Sequence, residues 1–164
     1  MDLHTEQRYD ADPTAVFAML TDETFIGRKT AAAKALRHEA TVTRANDRVT
    51  IELTRVMPPD VPDCVRRFEG QTIDIKQVDD WGPAAADGSR HGTITLDMVG
   101  APVTCTGTMT LLPGNGQTVV RITAAIKASV PLVSGKIESA VHQGLSEAAK
   151  IEEQVGRSWL ANSR

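Results

Sequence analysis

From His38 to Lys127 the apolar residues of this chain recur at every second position, and beyond Pro131 they recur at every third and fourth. That switch of period separates a sheet-forming stretch from a helix-forming one. Ile137, Val141, Leu145, Ala148, Ile151, Val155 and Trp159 make a single apolar stripe over about six helical turns. Lys136, Glu147, Lys150, Glu153 and Arg157 occupy the opposite face. A helix predicted from about Pro131 to about Leu160 must bury that stripe against something equally long. The strands before it are the only candidate, which makes the chain α+β, with a sheet covering one long C-terminal helix.

The strands can be placed one by one. Leu3 to Tyr9 reads as a short strand with Leu3, Thr5, Gln7 and Tyr9 on one face. Asp12 is a good N-cap, Pro13 suits a first helical turn, and Val16, Phe17 and Leu20 form an apolar stripe. A second short helix is expected from about Glu23 to Leu36. Ala40 and Val42, then Val49, Ile51 and Leu53, alternate around Ala45-Asn46-Asp47 as a hairpin. Pro58, Pro59 and Pro62 interrupt, and Asp63 to Phe68 suit one helical turn. Ile73 and Ile75 begin a strand ending near Trp81, and 82–90 is a loop. Ile94, Leu96 and Met98 follow, then Val103, Cys105, Met109 and Leu111. A turn is expected at Pro113 to Gly116, and Val120, Ile122, Ala124 and Ile126 complete the sheet. The order is strand, two helices, six strands, one long helix: a seven-stranded antiparallel sheet.

Composition narrows the function classes. With 164 residues the chain is expected to be one domain, 1–164. Lys and Arg number 18 against 21 Asp and Glu, a formal charge of -3, which disfavours nucleic acid as a partner. The few aromatics are scattered, so no base-stacking platform is expected. Two cysteines, Cys64 and Cys105, are too few for a disulfide framework. No apolar run reaches the ~18 residues of a membrane span, and the polar start MDLHTEQRYD does not read as a signal peptide. A cytoplasmic location without stable membrane insertion is the resulting expectation.

The element order, with ADPTAVFAMLTD (11–22) leading strand into helix, resembles the helix-grip fold of the START-like (SRPBCC) superfamily. VPDCVRRFEGQTIDIKQVDDW (61–81) and VPLVSGKIESAV (130–141) resemble its branch found mainly in actinobacteria and described only as a domain of unknown function. The resemblance covers essentially the whole chain, but its motifs are caps, turns and core residues, which speak for fold more than for chemistry. It implies a curved seven-stranded sheet wrapped around the C-terminal helix, with an apolar cavity between them.

With the faces assigned, the candidate ligand-binding residues are Ile51, Leu53, Arg55, Ile73, Ile75, Leu96, Met98, Cys105, Met109, Ile122, Ala124, Val141, Gly144 and Leu145. His38, Arg44, Gln71, Gln77, Thr5 and Gln7 share the inward parity, as polar groups that orient a ligand or as rim residues. Gly144 weakens its helix, so a close approach of backbone or ligand there competes with a tolerated surface glycine. Arg55, between Leu53 and Met57, is expected either at the rim or, if it reaches the cavity, paired with an acceptor such as a ligand carboxylate or phosphate. His4, His38, His91 and His142 lack metal-ligand spacing, and no cofactor is expected. Cys105 reads as a buried small hydrophobe rather than a nucleophile paired with His38.

Glu39, Glu52, Asp74 and Asp97 fall on the outward face, and the pairs Asp79-Asp80 and Glu152-Glu153 read as solvated charge. Without an inward acid, binding or carriage of an apolar small molecule (lipid, polyketide or isoprenoid) is favoured over a cyclase- or hydrolase-like enzyme. A protein-docking helper domain is the remaining alternative. The chain is expected to act as a monomer or homodimer.

Overall fold

A computed structural model of the chain describes residues 1–58 and 72–163. Its elements are β1 (Asp2–Tyr9), α1 (Pro13–Leu20), α2 (Glu23–Ala32), β2 (Arg37–Ala45), β3 (Arg48–Met57), β4 (Ile73–Trp81), β5 (Arg90–Val99), β6 (Val103–Gly114), β7 (Gln117–Ala128) and α3 (Ser134–Asn162). The strands form one seven-stranded sheet in the order β1-β7-β6-β5-β4-β3-β2. Every neighbouring pair is antiparallel. Chain neighbours pair throughout except β1, which closes the far edge against β7 with Thr5 opposite Ile122. The expected helical turn at Asp63–Phe68, and Gln71, lie outside the described residues.

Two hairpins turn on residues with positive φ. Asn46 and Asp47 adopt φ of 51° and 64°, and Asn115 and Gly116 adopt 51° and 76°. Asn, Asp and Gly tolerate this region, and such turns match the twist of the flanking strands. β6 runs through Pro113 to Gly114, so the expected turn at Pro113 is strand, its partner being Thr118. Proline fits here because the ladder is about to end.

Two inner-face glycines sit on the adjacent strands β5 and β6. A Cβ on Gly107 would lie 2.1 Å from the Thr123 carbonyl oxygen and 2.5 Å from the Ala124 Cα. One on Gly92 would lie 2.6 Å from the Asp80 carbonyl oxygen. Only bare backbone fits at both places, because a neighbouring strand approaches too closely for a side chain.

Asp12 caps α1 by accepting from the Ala15 N–H at 2.8 Å, as expected. Asp22 caps α2, accepting from Thr24 and Phe25. α2 ends at Ala32 rather than Leu36 because Lys34 turns left-handed, with φ of 70°. The Leu36 N–H then bonds the Val56 carbonyl at 2.8 Å, extending the β2–β3 ladder. α3 starts at Ser134, a few residues after Pro131, because Leu132 stands at φ 71° and fully exposed. The Ser134 hydroxyl ties that corner to both backbone groups of Val130. Among the described residues no helix is long and apolar enough to cross a membrane.

The interior is divided. One core joins α1 and α2 to the β2–β3 hairpin and the end of α3, through Phe17, Phe25, Ile51, Trp81 and Leu160. A second joins Leu3, Leu96, Met98, Val103, Ile126 and Ile137 at the other end. Ile122 packs against both.

Candidate functional site

The long helix is held at its ends. Ile137 near its start, and Gly156 and Leu160 near its finish, are its buried residues. Gly156 is the close approach: a Cβ there would sit 2.6 Å from the Tyr9 ring. Gly144 is exposed, and a Cβ on it would meet nothing within 4 Å. The close approach considered for Gly144 therefore belongs to Gly156. Between Ile137 and Gly156 run about 28 Å of helix at 1.5 Å per residue without a fully buried side chain. Val141 and Leu145 on this span, with Ile75 and Ile122 of the sheet facing the same interior, are only partly buried.

At the level of Ile122 lies a cavity of about 50 Å³, lined by Ile51, Ile94, Met109 and Ile122 with Lys29, Gln77, Asp79 and Glu152. That volume suits a few water molecules and falls short of the roughly 300–1,000 Å³ of ordinary small-molecule pockets. The apolar hollow implied by the resemblance is thus narrow here, and its wall is charged.

Two polar relays supply the charged members of that wall and run on behind it. In the first, the Lys29 ammonium pairs with Glu152 Oε2, both side chains being 17% exposed. The Gln7 amide donates to Glu152 Oε1 and to the Ala149 carbonyl, each at 2.9 Å. The Tyr9 hydroxyl donates to Gln7 Oε1 at 3.0 Å. Burial opposes the Glu152 charge, but Lys29 and the Gln7 amide outweigh it and hold the carboxyl below the usual glutamate range. Burial, reinforced by the charges of Glu152 and Glu153, pushes the Tyr9 phenol far up, so it stays a neutral donor.

In the second relay, Arg55 Nη1 donates to Gln77 Oε1, and Gln77 Nε2 donates to Asp79 Oδ1, both at 2.9 Å. The β3–β4 register sets Ile51 opposite Asp79, Leu53 opposite Gln77 and Arg55 opposite Ile75, so all six face the interior together. Burial drives the Asp79 carboxyl above the ordinary aspartate value, beyond what Lys29, Gln77 and Arg55 offset. Burial likewise pulls Arg55 below the usual arginine value, against the pull of Asp79 and Glu152. A guanidinium still keeps its proton at any working pH.

Asp79 and Glu152 correct the expectation of solvated acids and of an interior without carboxylates. Asp79 keeps the period-two parity of Ile73, Ile75 and Gln77 up to Trp81. Glu152 stands seven residues after Leu145, on the helix's own stripe. Both signals are in the sequence, but the ordinary preference of charge for solvent points the other way. Lys29, four residues after Phe25, lies on the buried face of α2 by the same logic.

The remaining candidates separate. Ile51, Leu53 and Met109 belong to the core beneath α1 and α2. Ile73, Leu96, Met98, Cys105 and Ala124 are buried in the other. Arg44 is exposed and donates to the Thr21 carbonyl and hydroxyl at 3.2 and 3.1 Å, so it is a rim residue. His38 is exposed on the edge strand beside Gly27. Cys105 is 3% exposed, with its thiol pushed up by burial. Three strands stand between β6 and β2, roughly 19 Å at normal spacing, so Cys105 and His38 cannot act as a pair.

Solved structures with this architecture share it at low identity. The protein TTHA0849 from Thermus thermophilus is 16% identical, with a TM-score of 0.65 and 100% of each chain covered. A STAR-related lipid transfer protein from Xanthomonas axonopodis is 16% identical, with a TM-score of 0.61, covering 96% of this chain and 84% of that one. The Zhui aromatase/cyclase from Streptomyces sp. R1128 is 10% identical, with a TM-score of 0.60, covering 96% and 92%. The fold is the START-like helix grip. Among curated proteins none matches the sequence. Residues 4–160 match the family described as Protein of unknown function (DUF2505), and the chain belongs to that family.

Proposed function

We propose that this chain binds an apolar small molecule, of lipid, polyketide or isoprenoid type, between the concave face of its sheet and the middle of α3. The observation that carries this reading is the helix held at Ile137 and, from Ala149 onward, by the Gln7 and Lys29 bonds and by Gly156 to Leu160, with Val141 to Leu145 between them only partly buried. Apolar side chains on both sides of that span, Ile75 and Ile122 below and Val141 and Leu145 above, keep part of their surface uncovered. Outward movement of the helix around Val141 to Leu145 breaks no fully buried apolar contact and leaves the Glu152 relay in place, so the space there can widen at small cost. The lipid transfer protein and the aromatase/cyclase of the same fold support an apolar guest here.

A neutral apolar dye, N-phenyl-1-naphthylamine, tests the reading by fluorescence titration. Saturable binding at one site per chain is expected. Ile122→Trp and Val141→Phe, which fill the space from either side, should each weaken it by at least ~10-fold while the chain stays folded. Unchanged affinity in both folded variants overturns the reading.

A catalytic use of the same space gains one specific support. Asp79 and Glu152 both line the cavity, and one is driven toward its protonated and the other toward its ionised form. Such a divided pair is what acid–base chemistry requires. Recovery of a bound guest chemically unchanged separates carriage from catalysis.

A further inference from the structure

The second relay is unbalanced. An arginine carries five N–H donors, and among the described residues only one of Arg55's is used, by Gln77. No carboxylate meets it directly among those residues. Gln77 stands between Arg55 and Asp79 as a spacer, its carbonyl turned to the cation and its amide to the acid. Asp79 Oδ1 takes that amide, and Oδ2 has no hydrogen-bond donor among the described residues. The first relay, by contrast, is closed: Lys29 on α2 neutralises Glu152 on α3, and Gln7 fills the carboxylate's other oxygen.

We infer that Arg55 and Asp79 form a head-group subsite for an apolar ligand bearing a single carboxylate, with the unused N–H donors of Arg55 meeting the anion and the Asp79 carboxyl, free at Oδ2 among the described residues, beside it. This rests on the binding reading above and names the class of its ligand. The charges explain the choice. Among the described residues, with Lys29 and Glu152 cancelling, Arg55 is one positive charge in excess whenever Asp79 is neutral, and a monoanion restores balance. A dianion overshoots, and a neutral alcohol leaves the guanidinium short of acceptors.

The groups facing Asp79 are Lys29 from α2, Glu152 from α3 and Arg55 from β3, with Gln77 on its own strand. Glu152 is held ionised by its partners, and Tyr9 stays neutral. Asp79 is therefore the group whose proton can vary. Burial raises its pKa in the free protein, so as pH rises through that value Asp79 becomes an anion. It then compensates Arg55 and repels the ligand. Binding must draw a proton back onto it, and affinity falls with pH.

Decanoic acid and 1-decanol, matched in chain length, are the probes, titrated calorimetrically above about pH 6, where a free carboxylic acid is ionised. Decanoate is expected to bind more tightly than decanol, and to weaken by up to ~10-fold per pH unit on the alkaline side while decanol does not change. Arg55→Met should cost decanoate ~10- to 100-fold and decanol less than about twofold. Asp79→Asn should remove the pH dependence. The wild-type comparison needs no variant to fold. Equal affinities, a flat decanoate profile, or equal loss for both probes on Arg55→Met overturns this inference and leaves apolar binding intact. Failure of both probes to bind overturns apolar binding as well.

Discussion

At the scale of single residues, the interior holds two carboxyls whose environments pull them apart. Glu152 has a cation and an amide; Asp79 has one amide and burial. Their contributions to stability must therefore run in opposite directions with pH. Glu152's folded-state pKa is lowered, so its stabilisation is present above the ordinary glutamate range and disappears as pH falls through the lowered value. Asp79's is raised, so what it contributes is complete below the ordinary aspartate value and is lost as pH rises through the raised one. Glu152→Gln should cost about 3 kcal/mol at neutral pH, leaving Lys29 partly buried and unpaired, and progressively less on acidification. Asp79→Asn should gain roughly 1–3 kcal/mol over the wild type at neutral pH and little in acid. Chemical denaturation across a pH series reads both; parallel curves for the two variants contradict the assignment.

At the scale of elements, the long helix shows how far sequence reading reaches. Its existence, length and apolar stripe are legible because one period persists from Ile137 to Trp159. The burial along that stripe is not, because periodicity reports a face and not what covers it. Glycine illustrates the limit. Gly144 and Gly156 look alike in the sequence, yet only Gly156 lets the backbone meet a ring, that of Tyr9. Helix propensity favours alanine over glycine by about 1 kcal/mol. Gly144→Ala is therefore expected to stabilise by up to that amount. Gly156→Ala forces a Cβ against Tyr9 and Met19 and is expected to destabilise by roughly 1–3 kcal/mol. Thermal unfolding of the two variants decides it; a stabilised Gly156→Ala would show that the helix end is loosely seated.

At the scale of the molecule, the strand order follows from alternation and turn chemistry, since each strand after β2 pairs with its chain neighbour. The closure of β1 on β7 and the close strand approach at Gly92 and Gly107 are not legible in the sequence, because the contacts that set them lie on other strands. The inward charges are legible but easily misread: parity points Asp79 inward, while the habit of paired acids to face water points it out. What results is a grip whose two ends are closed by separate apolar cores and whose middle is narrow and charged, with Val141 to Leu145 of the helix only partly buried. The claim that this middle receives an apolar guest is tested most directly by methyl NMR during titration with 1-decanol. The expected result is saturable shifts at Ile75, Ile122, Val141 and Leu145, with Val16 on the buried face of α1 left in place. Shifts confined to methyls outside the middle of the grip, such as Val49 in the core that joins α1 to the β2–β3 hairpin, or none at all, contradict it.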